Sequence, residues 1–313
     1  MLKRLTLLMA AGAVFYSAYP VALTINENTR YQEIDGFGFA EGAKDGSWNS
    51  APSNVCPQWW IDTLVHDLGM SINRHMLDET ASPNSSVQFD VSLIPQYKRM
   101  FLKRMVQSGK VKLVFSVWSP PCWMKGDGQC ESVEGFCADP GNVLPSSNYN
   151  AYAQFLIRYL QFIKDTTGSD LYGLSLQNEP YFDEPYVSCH YCNGTYMDMF
   201  KTVGGQVKAA HANTKLYGPE HMGSYDGNSE FFDGLLRNDA TARGLLDVFA
   251  VHSYTDGVTP DFGGAAAVVG AGGAPAAYGI DGRRAGNGAA TGLRLYKVEG
   301  PDGVAVRPRA SVR

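Results

Sequence analysis

The stretch LYGLSLQNEP, residues 171–180, ends an apolar run with an amide, a carboxylate and a proline. A carboxylate at the end of a buried strand suits general acid/base chemistry, because burial can bring its pKa toward the working pH. Pro180 fixes the turn that follows and predicts an extended backbone at Glu179. Asn178 is placed to donate a hydrogen bond to a ligand hydroxyl. The alternative interpretation is that these three residues only begin a loop.

Other residues that could take part in catalysis or binding lie at or just past the ends of other predicted strands. They are Arg74, Trp118, Glu220 and His252. In an eightfold α/β barrel the carboxyl ends of all strands meet on one face, which is where such folds carry out their chemistry. We therefore expect these side chains to converge with Glu179 on one face of a barrel.

The elements that would position these residues alternate between short apolar strands and amphipathic helices. Strands are predicted within 33–42, 71–77, 111–121, 171–180, 214–220 and 246–254, and helices within 57–70, 93–109, 148–168, 196–211 and 231–239. This alternation predicts an α/β fold with a parallel sheet. No GxGxxG or Walker sequence follows a strand, which favours a (β/α)8 TIM barrel over an open nucleotide-binding sheet.

The pattern changes after Asp256. Residues 257–313 are rich in glycine and alanine and lose their periodicity, although GLRLYKVEG could form one strand. Six barrel strands can be recognised within 34–256, and we expect the last two to be missing or altered. This segment is predicted to be truncated or disordered.

The composition narrows the class of partner. The chain of 313 residues has a net charge of −5 and no basic cluster, which argues against a nucleic-acid partner. An aromatic content of 12% without excess positive charge suits a neutral polymer such as a polysaccharide. We predict no cofactor and no metal, because the Cys189-x-x-Cys192 pair has no second pair to complete a site.

The first residues predict export. Lys3 and Arg4 precede the uncharged run LTLLMAAGAVFYSA, so residues 1–22 resemble a secretory signal peptide. A buried first helix is the alternative. The even number of six cysteines then favours disulfides, whose pairing the sequence leaves open. We expect a secreted monomer with no membrane contact after signal removal, and sequons at Asn84 and Asn193 that are glycosylated in a eukaryotic host.

Six motifs in order give the chain a resemblance to a known family. They are IDGFGFAEG, GMSINRHML, VWSPPCWMK, the long helix leading into LYGLSLQNEP, LYGPEHMG and FAVHSY. Over about residues 31–256 the chain resembles glycoside hydrolase family 30, retaining glycosidases of clan A with an eightfold barrel and a β-rich side domain. Residues 23–33 would then contribute a strand to that side domain. The helix before LYGLSLQNEP is most similar to the xylanase and glucuronoxylanase side of the family, which also includes enzymes acting on β-1,6-linked glucans or galactans.

The resemblance implies roles for individual residues. Glu179 matches the general acid/base and Asn178 the amide beside the sugar 2-hydroxyl. Arg74 matches an arginine whose guanidinium can hold a catalytic carboxylate ionised. The aromatics Trp118 and Trp123 match residues that line the sugar subsites, and core filling is the alternative for Trp118. The last matches, His252 and Tyr254, lie near the family's nucleophile, while Lys125 is interpreted as a solvated group.

The second catalytic carboxyl, the nucleophile, is harder to assign from the sequence. The resemblance places the nucleophile after a seventh strand, so Glu220 comes too early and matches the PE of the fifth strand instead. Glu299 is the one glutamate after Asp256, but the family's tryptophan-rich context is absent before it. We therefore keep three hypotheses: a hydrolase with Glu179 and Glu299, an inactive carbohydrate-binding protein, and a truncated chain without a nucleophile.

Overall fold

The computed structural model describes residues 35–40, 56–192, 194–222, 231 and 233–252, and the backbone of two further strands, 293–297 and 307–312. The predicted signal peptide, the side-domain strand within 23–33, and most of residues 257–313 lie outside the described residues.

Eight strands form the main sheet. They are β1 (Gly38–Ala40), β2 (Ile72–Met76), β3 (Lys112–Ser116), β5 (Gly173–Ser175), β7 (Lys215–His221), β8 (Val248–Val251), β9 (Leu293–Lys297) and β10 (Arg307–Val312), in the spatial order β1-β2-β3-β5-β7-β8-β9-β10. The first six run parallel to one another. Two short strands, β4 (Gly135–Phe136) and β6 (Phe182–Asp183), form a separate antiparallel pair. All six strands predicted from the sequence are confirmed, and the result is a partial (β/α)8 barrel.

Helices follow the strands as the alternation predicted. They are α1 (Gln58–Asp62), α2 (Gln96–Gln107), α3 (Tyr149–Thr167), α4 (Thr195–Ala210) and α5 (Ala240–Leu245), with π-helical turns at Thr63–Asp67 and Asp233–Asn238. Helix α3 buries a continuous stripe and ends at Gly168, whose φ of 81° permits the left-handed turn that closes the helix. Helix α5 begins at Asp239, whose carboxylate accepts hydrogen bonds from the backbone N–H groups of Thr241 and Ala242.

Alternate residues of the strands pack on opposite faces of the sheet. Phe249 and Val251 join the large core between strands and helices. Val248 and Ala250 belong to a smaller cluster on the other face, with Ile72, Val114 and Tyr217. Arg74 and Ser116 have the same parity as Ile72 and Val114, so they point to the inner face, toward the carboxyl ends of the strands.

The strand predicted within GLRLYKVEG is present as β9, but it runs antiparallel to β8. A complete (β/α)8 barrel would continue with a parallel strand at this position. Strand β10 pairs with β9, again antiparallel. The last part of the sheet therefore departs from the regular barrel.

Two disulfides cross-link the loops beside β4 and β6, Cys122–Cys130 and Cys137–Cys192. The remaining described cysteines, Cys56 and Cys189, are free and buried. Cys192 is thus paired with a cysteine outside its own CxxC motif. Across the portion of the chain that is described, no helix has the length and hydropathy needed to cross a bilayer.

Candidate active site

The residues after β5 place Glu179, the predicted acid/base, at the mouth of the barrel. The N–H of Asn178 donates to the carbonyl of Val117 (2.6 Å), and the N–H of Glu179 donates to the carbonyl of Glu220 (3.2 Å). These bonds join the segment to its neighbours on both sides. Asn178 and Glu179 are 2% and 6% exposed, so both side chains are enclosed by protein.

The expectation of an extended backbone at Glu179 is wrong. Its φ is +46°, in the left-handed region, and that of Glu220 is +58°. The carbonyl of Glu179 accepts from the N–H of Phe182 at 2.8 Å, and this turn, with the bond to Glu220, outweighs the preference imposed by Pro180. Such a conformation costs on the order of 1–3 kcal/mol and is concentrated at functional sites.

His252 connects two carboxyls. Its Nδ1 lies 2.6 Å from Oε1 of Glu179, and its Nε2 lies 3.6 Å from Oε1 of Glu220. Burial acts to lower the pKa of His252, but the hydrogen bonds and negative charges of the two carboxylates outweigh it and raise that pKa above its ordinary value. The imidazole can therefore carry a proton between two carboxylates.

Arg74 forms hydrogen bonds to three side chains on the inner side of the site. Its Nη2 donates to Oδ1 of Asn178 (2.8 Å) and to Oε1 of Glu220 (3.1 Å), and its Nε donates to Oγ of Ser116 (2.9 Å). Glu220 is fully buried and also accepts from the hydroxyl of Ser116. Burial acts to raise the pKa of Glu220, but Arg74 and His252 outweigh it and hold that pKa below its usual value. Glu220 is therefore an ionised partner of Arg74.

Glu184 is a third carboxyl that sequence reasoning missed. It is 1% exposed, and the amide of Asn178 donates to its Oε1 at 3.3 Å. Burial, followed by the charge and hydrogen bonding of the adjacent Glu179, raises the pKa of Glu184 to about 10. The sequence signal was weak, since Glu184 lies in a loop without periodicity.

The two predicted subsite tryptophans have different surroundings. Trp118 is half-buried, and the guanidinium carbon of Arg74 lies 4.5 Å from its ring centroid, a cation–π contact. Trp123 packs against the core and donates from Nε1 to the carbonyl of Ser82 at 3.1 Å. Trp118 thus lies within the cluster around Glu179, whereas the indole N–H of Trp123 is engaged with a neighbouring loop.

The interpretation of Lys125 as solvated is wrong. It is 4% exposed, and its Nζ donates to the carbonyls of Cys130 (3.1 Å) and Ser188 (2.9 Å). Burial lowers its pKa. The lysine connects the disulfide-bonded loop to the loop that carries Glu184.

Two predicted site residues cannot be placed. Tyr254 and Glu299 lie outside the described residues, so their roles stay predictions. Strand β9 ends at Lys297, which pairs with Val248, the first residue of β8. The structure thus brings together six residues that were expected to converge, and adds Ser116 and Glu184. The six are Arg74, Trp118, Asn178, Glu179, Glu220 and His252.

These features define the described chain as a partial (β/α)8 barrel with buried carboxyls, a histidine and an arginine at the carboxyl ends of its strands. No protein-family model matches the chain. The structure is similar to that of a glycoside hydrolase family 30 subfamily 8 xylanase from Clostridium acetobutylicum, with 27% identity and a TM-score of 0.59, covering 75% of this chain and 53% of that one. It is also similar in fold to an endo-β1,6-glucanase, with 23% identity and a TM-score of 0.59, covering 75% and 55% of the two chains.

A curated sequence relative is putative glucosylceramidase 3 of Caenorhabditis elegans. It is 22% identical over 280 residues, which cover 83% of this chain and 52% of the relative. The chain spans about half the length of the curated relatives it matches. The resemblance to glycoside hydrolase family 30 predicted from the sequence is confirmed, and the proteins that this chain resembles are named as glycoside hydrolases.

Proposed function

We propose that this chain comes from a secreted glycoside hydrolase that cleaves β-linked polysaccharide, with endo-β-1,4-xylan or glucuronoxylan as the first candidate substrate. Glu179 is the acid/base of a retaining double displacement. The observation that carries this proposal is the buried Glu179 carboxyl, held 2.6 Å from His252 where two barrel strands end. The xylanase from Clostridium acetobutylicum, at 27% identity, supports the choice of substrate.

The chemistry requires two carboxyls about 5–5.5 Å apart. Glu179 protonates the glycosidic oxygen as the bond breaks, and a second carboxylate attacks the anomeric carbon to form a glycosyl-enzyme. Glu179 then removes a proton from the water that hydrolyses this intermediate. Glu220 is unsuited to the attack, because it is fully buried and paired with Arg74. The assignment of the nucleophile to Glu299 remains a prediction.

Asn178 and Trp118 are proposed to orient the sugar. The Asn178 side chain is fixed through its oxygen by Arg74, and Trp118 offers a ring face for stacking beside the same arginine. The proposed partner is a polysaccharide; that the protein is a monomer without a cofactor stays a prediction from the sequence. The disulfides Cys122–Cys130 and Cys137–Cys192 support export, because such bonds persist in oxidising compartments.

The alternatives are a β-1,6-glucanase or β-1,6-galactanase, and an inactive carbohydrate-binding or truncated chain. A substrate panel separates them: glucuronoxylan, linear xylan, β-1,6-glucan, β-1,6-galactan and, because of the curated relatives' names, a glucosylated lipid. Sugar release from a xylan, lost in Glu179→Gln and kept in the exposed control Glu134→Gln, supports the proposal. Sugar release only from a different substrate of the panel would overturn the proposed substrate. No sugar release from any substrate would overturn the proposal that the chain is an enzyme.

Two further variants test the remaining alternatives. If Glu299 is the nucleophile, Glu299→Gln abolishes release, whereas unchanged release excludes it. If the chain only binds carbohydrate, it sediments with insoluble xylan without releasing sugar. Trp118→Ala then weakens that binding, while Trp59→Ala, at a 60% exposed position on α1, serves as the matched control.

A further inference from the structure

Two aromatic rings lie at the surface of the separate antiparallel pair of strands. Phe136 of β4 is 55% exposed, and Phe182 of β6 is half-buried. The two residues are direct partners in the pair, and their ring centroids lie 5.2 Å apart in an edge-to-face arrangement. We call these two rings the aromatic platform. Apolar rings grouped at a surface mark binding sites, because covering them with a ligand removes apolar area from water.

The backbone that carries the platform is fixed from its buried side. Asp183, the second residue of β6, points away from the exposed rings and is fully buried. Its carboxylate accepts from the backbone N–H of Ala138 at 2.6 Å and lies 2.8 Å from Nδ1 of His190. The disulfide Cys137–Cys192 begins at the residue that follows β4. A ligand that binds the platform therefore loses little free energy to ordering of the protein.

The platform is continuous with the proposed acid/base. The N–H of Phe182 donates to the carbonyl of Glu179 at 2.8 Å and closes a four-residue turn. The first and last Cα atoms of such a turn lie within about 7 Å of each other. The acid of a glycosidase protonates the oxygen that the departing sugar keeps. A surface continuous with Glu179 is therefore placed to hold the departing part of the sugar chain.

The two segments that form the platform carry no positive charge. Residues 126–145 and 181–187 contain no lysine, arginine or histidine. These segments thus offer no partner to the carboxylate of a uronic acid. An uncharged sugar ring presents C–H groups, which pack favourably on the electron-rich face of a phenyl ring. The chemistry of the platform therefore fits an uncharged stretch of polysaccharide.

We propose that the aromatic platform is a subsite for the departing part of a neutral β-linked polysaccharide. Phe136 provides the exposed ring on which an uncharged sugar stacks, and Phe182 holds that ring in place by edge-to-face packing. The inference rests on the proposed function, because it takes Glu179 as the acid. The platform is distinct from Trp118, whose ring packs against the guanidinium of Arg74.

The first test measures binding without turnover. Linear xylohexaose and the β-1,6-linked glucose hexamer are each titrated calorimetrically into the full chain carrying Glu179→Gln, with and without Phe136→Ala. We expect Phe136→Ala to weaken binding of the hexamer that the chain binds by about 3- to 10-fold. The control Trp59→Ala removes another exposed aromatic ring and should leave the affinity unchanged. Unchanged affinity in Phe136→Ala, or no binding of either hexamer, overturns the proposal.

Two further variants separate stacking from apolar bulk. Phe136→Trp keeps a flat ring and should retain the affinity, whereas Phe136→Leu keeps apolar bulk without a ring and should lose it. Full affinity in Phe136→Leu overturns stacking. Sedimentation of the same proteins tests a second copy of the chain as the occupant. A dimer that Phe136→Ala dissociates would show that the platform packs on that copy, and would also overturn the proposal.

The second test locates the platform relative to the bond that breaks. Phe136→Ala should lower kcat/KM by about 3- to 10-fold on the polysaccharide that the wild type hydrolyses. It should leave kcat/KM unchanged on an aryl β-glycoside of the same sugar, whose leaving group carries no sugar chain. Equal losses on both substrates overturn the assignment to the departing side. If Glu179→Gln retains hydrolysis, the proposed function fails, while the titrations still decide whether the platform binds sugar.

Discussion

Nδ1 of His252 lies 2.6 Å from Oε1 of Glu179, although 73 positions separate them in the chain. The contact joins the ends of the fourth and sixth parallel strands across the mouth of the partial barrel. The same imidazole lies 3.6 Å from Glu220. The protonation of His252 is therefore coupled to two carboxylates, and this coupling has consequences for stability and for activity.

The first prediction concerns pH and stability. Because the folded-state pKa of His252 is raised above the unfolded value of about 6.5, its protonation stabilises the fold. This contribution is complete below about pH 6.5 and is lost as the pH rises through the folded-state value. Urea unfolding across this range should show a loss of stability in the wild type that His252→Gln lacks.

The control for this prediction is His66→Gln, at an exposed histidine after α1. It should keep the wild-type dependence on pH. A His252→Gln variant with the same slope as the wild type would mean that His252 carries no stabilising proton.

The second prediction concerns Arg74. Arg74→Met leaves the Glu220 carboxylate buried without its guanidinium and should lower the free energy of unfolding by about 3–5 kcal/mol, measured by urea denaturation. Arg74→Lys keeps the charge but not the three separate bonds, and should cost less. The control Arg158→Met removes an exposed arginine on α3 and should change stability by about 0.5 kcal/mol or less. A loss for Arg74→Met as small as for the control would refute the importance of the buried pair.

The third prediction compares the two disulfides. Cys137–Cys192 closes a sequence separation of 55 residues and Cys122–Cys130 one of 8. The chain-entropy relation gives about 4 kcal/mol for the longer loop and about 2.5 kcal/mol for the shorter. The double variant Cys137→Ser/Cys192→Ser should therefore unfold at lower urea than Cys122→Ser/Cys130→Ser. The reverse order would show that loop length does not govern their contributions.

Much of the barrel was predictable because its signals are local. Helix α3 follows from apolar residues at helical spacing, and β3 and β8 from short continuous apolar runs. The convergence of Arg74, Glu179 and His252 was predicted from one rule, that the carboxyl ends of all strands of a barrel meet on one face. The antiparallel direction of β9 was not predictable, because strand direction depends on which partner is available across the sheet.

The parts of the site that were missed depend on distant contacts. Glu184 and Lys125 lie in loops, and their burial depends on Ser188, Asn142 and the disulfides rather than on any periodic pattern. The left-handed backbone of Glu179 is set by a bond to Glu220, 41 positions later, against the local preference before a proline. Sequence patterns predict the helices and strands, whereas the burial of these side chains depends on how the loops pack over the strand ends.

The most direct test of the central claim, that Glu179 is an acid/base, compares two substrates. Glu179→Gln should lose about 10²–10⁴-fold in kcat/KM on xylan, whose leaving sugar needs a proton. It should lose far less on an aryl β-xyloside with a strongly acidic phenol, because that leaving group departs without protonation. Equal losses on both substrates, or wild-type hydrolysis of xylan by Glu179→Gln, would contradict the assignment.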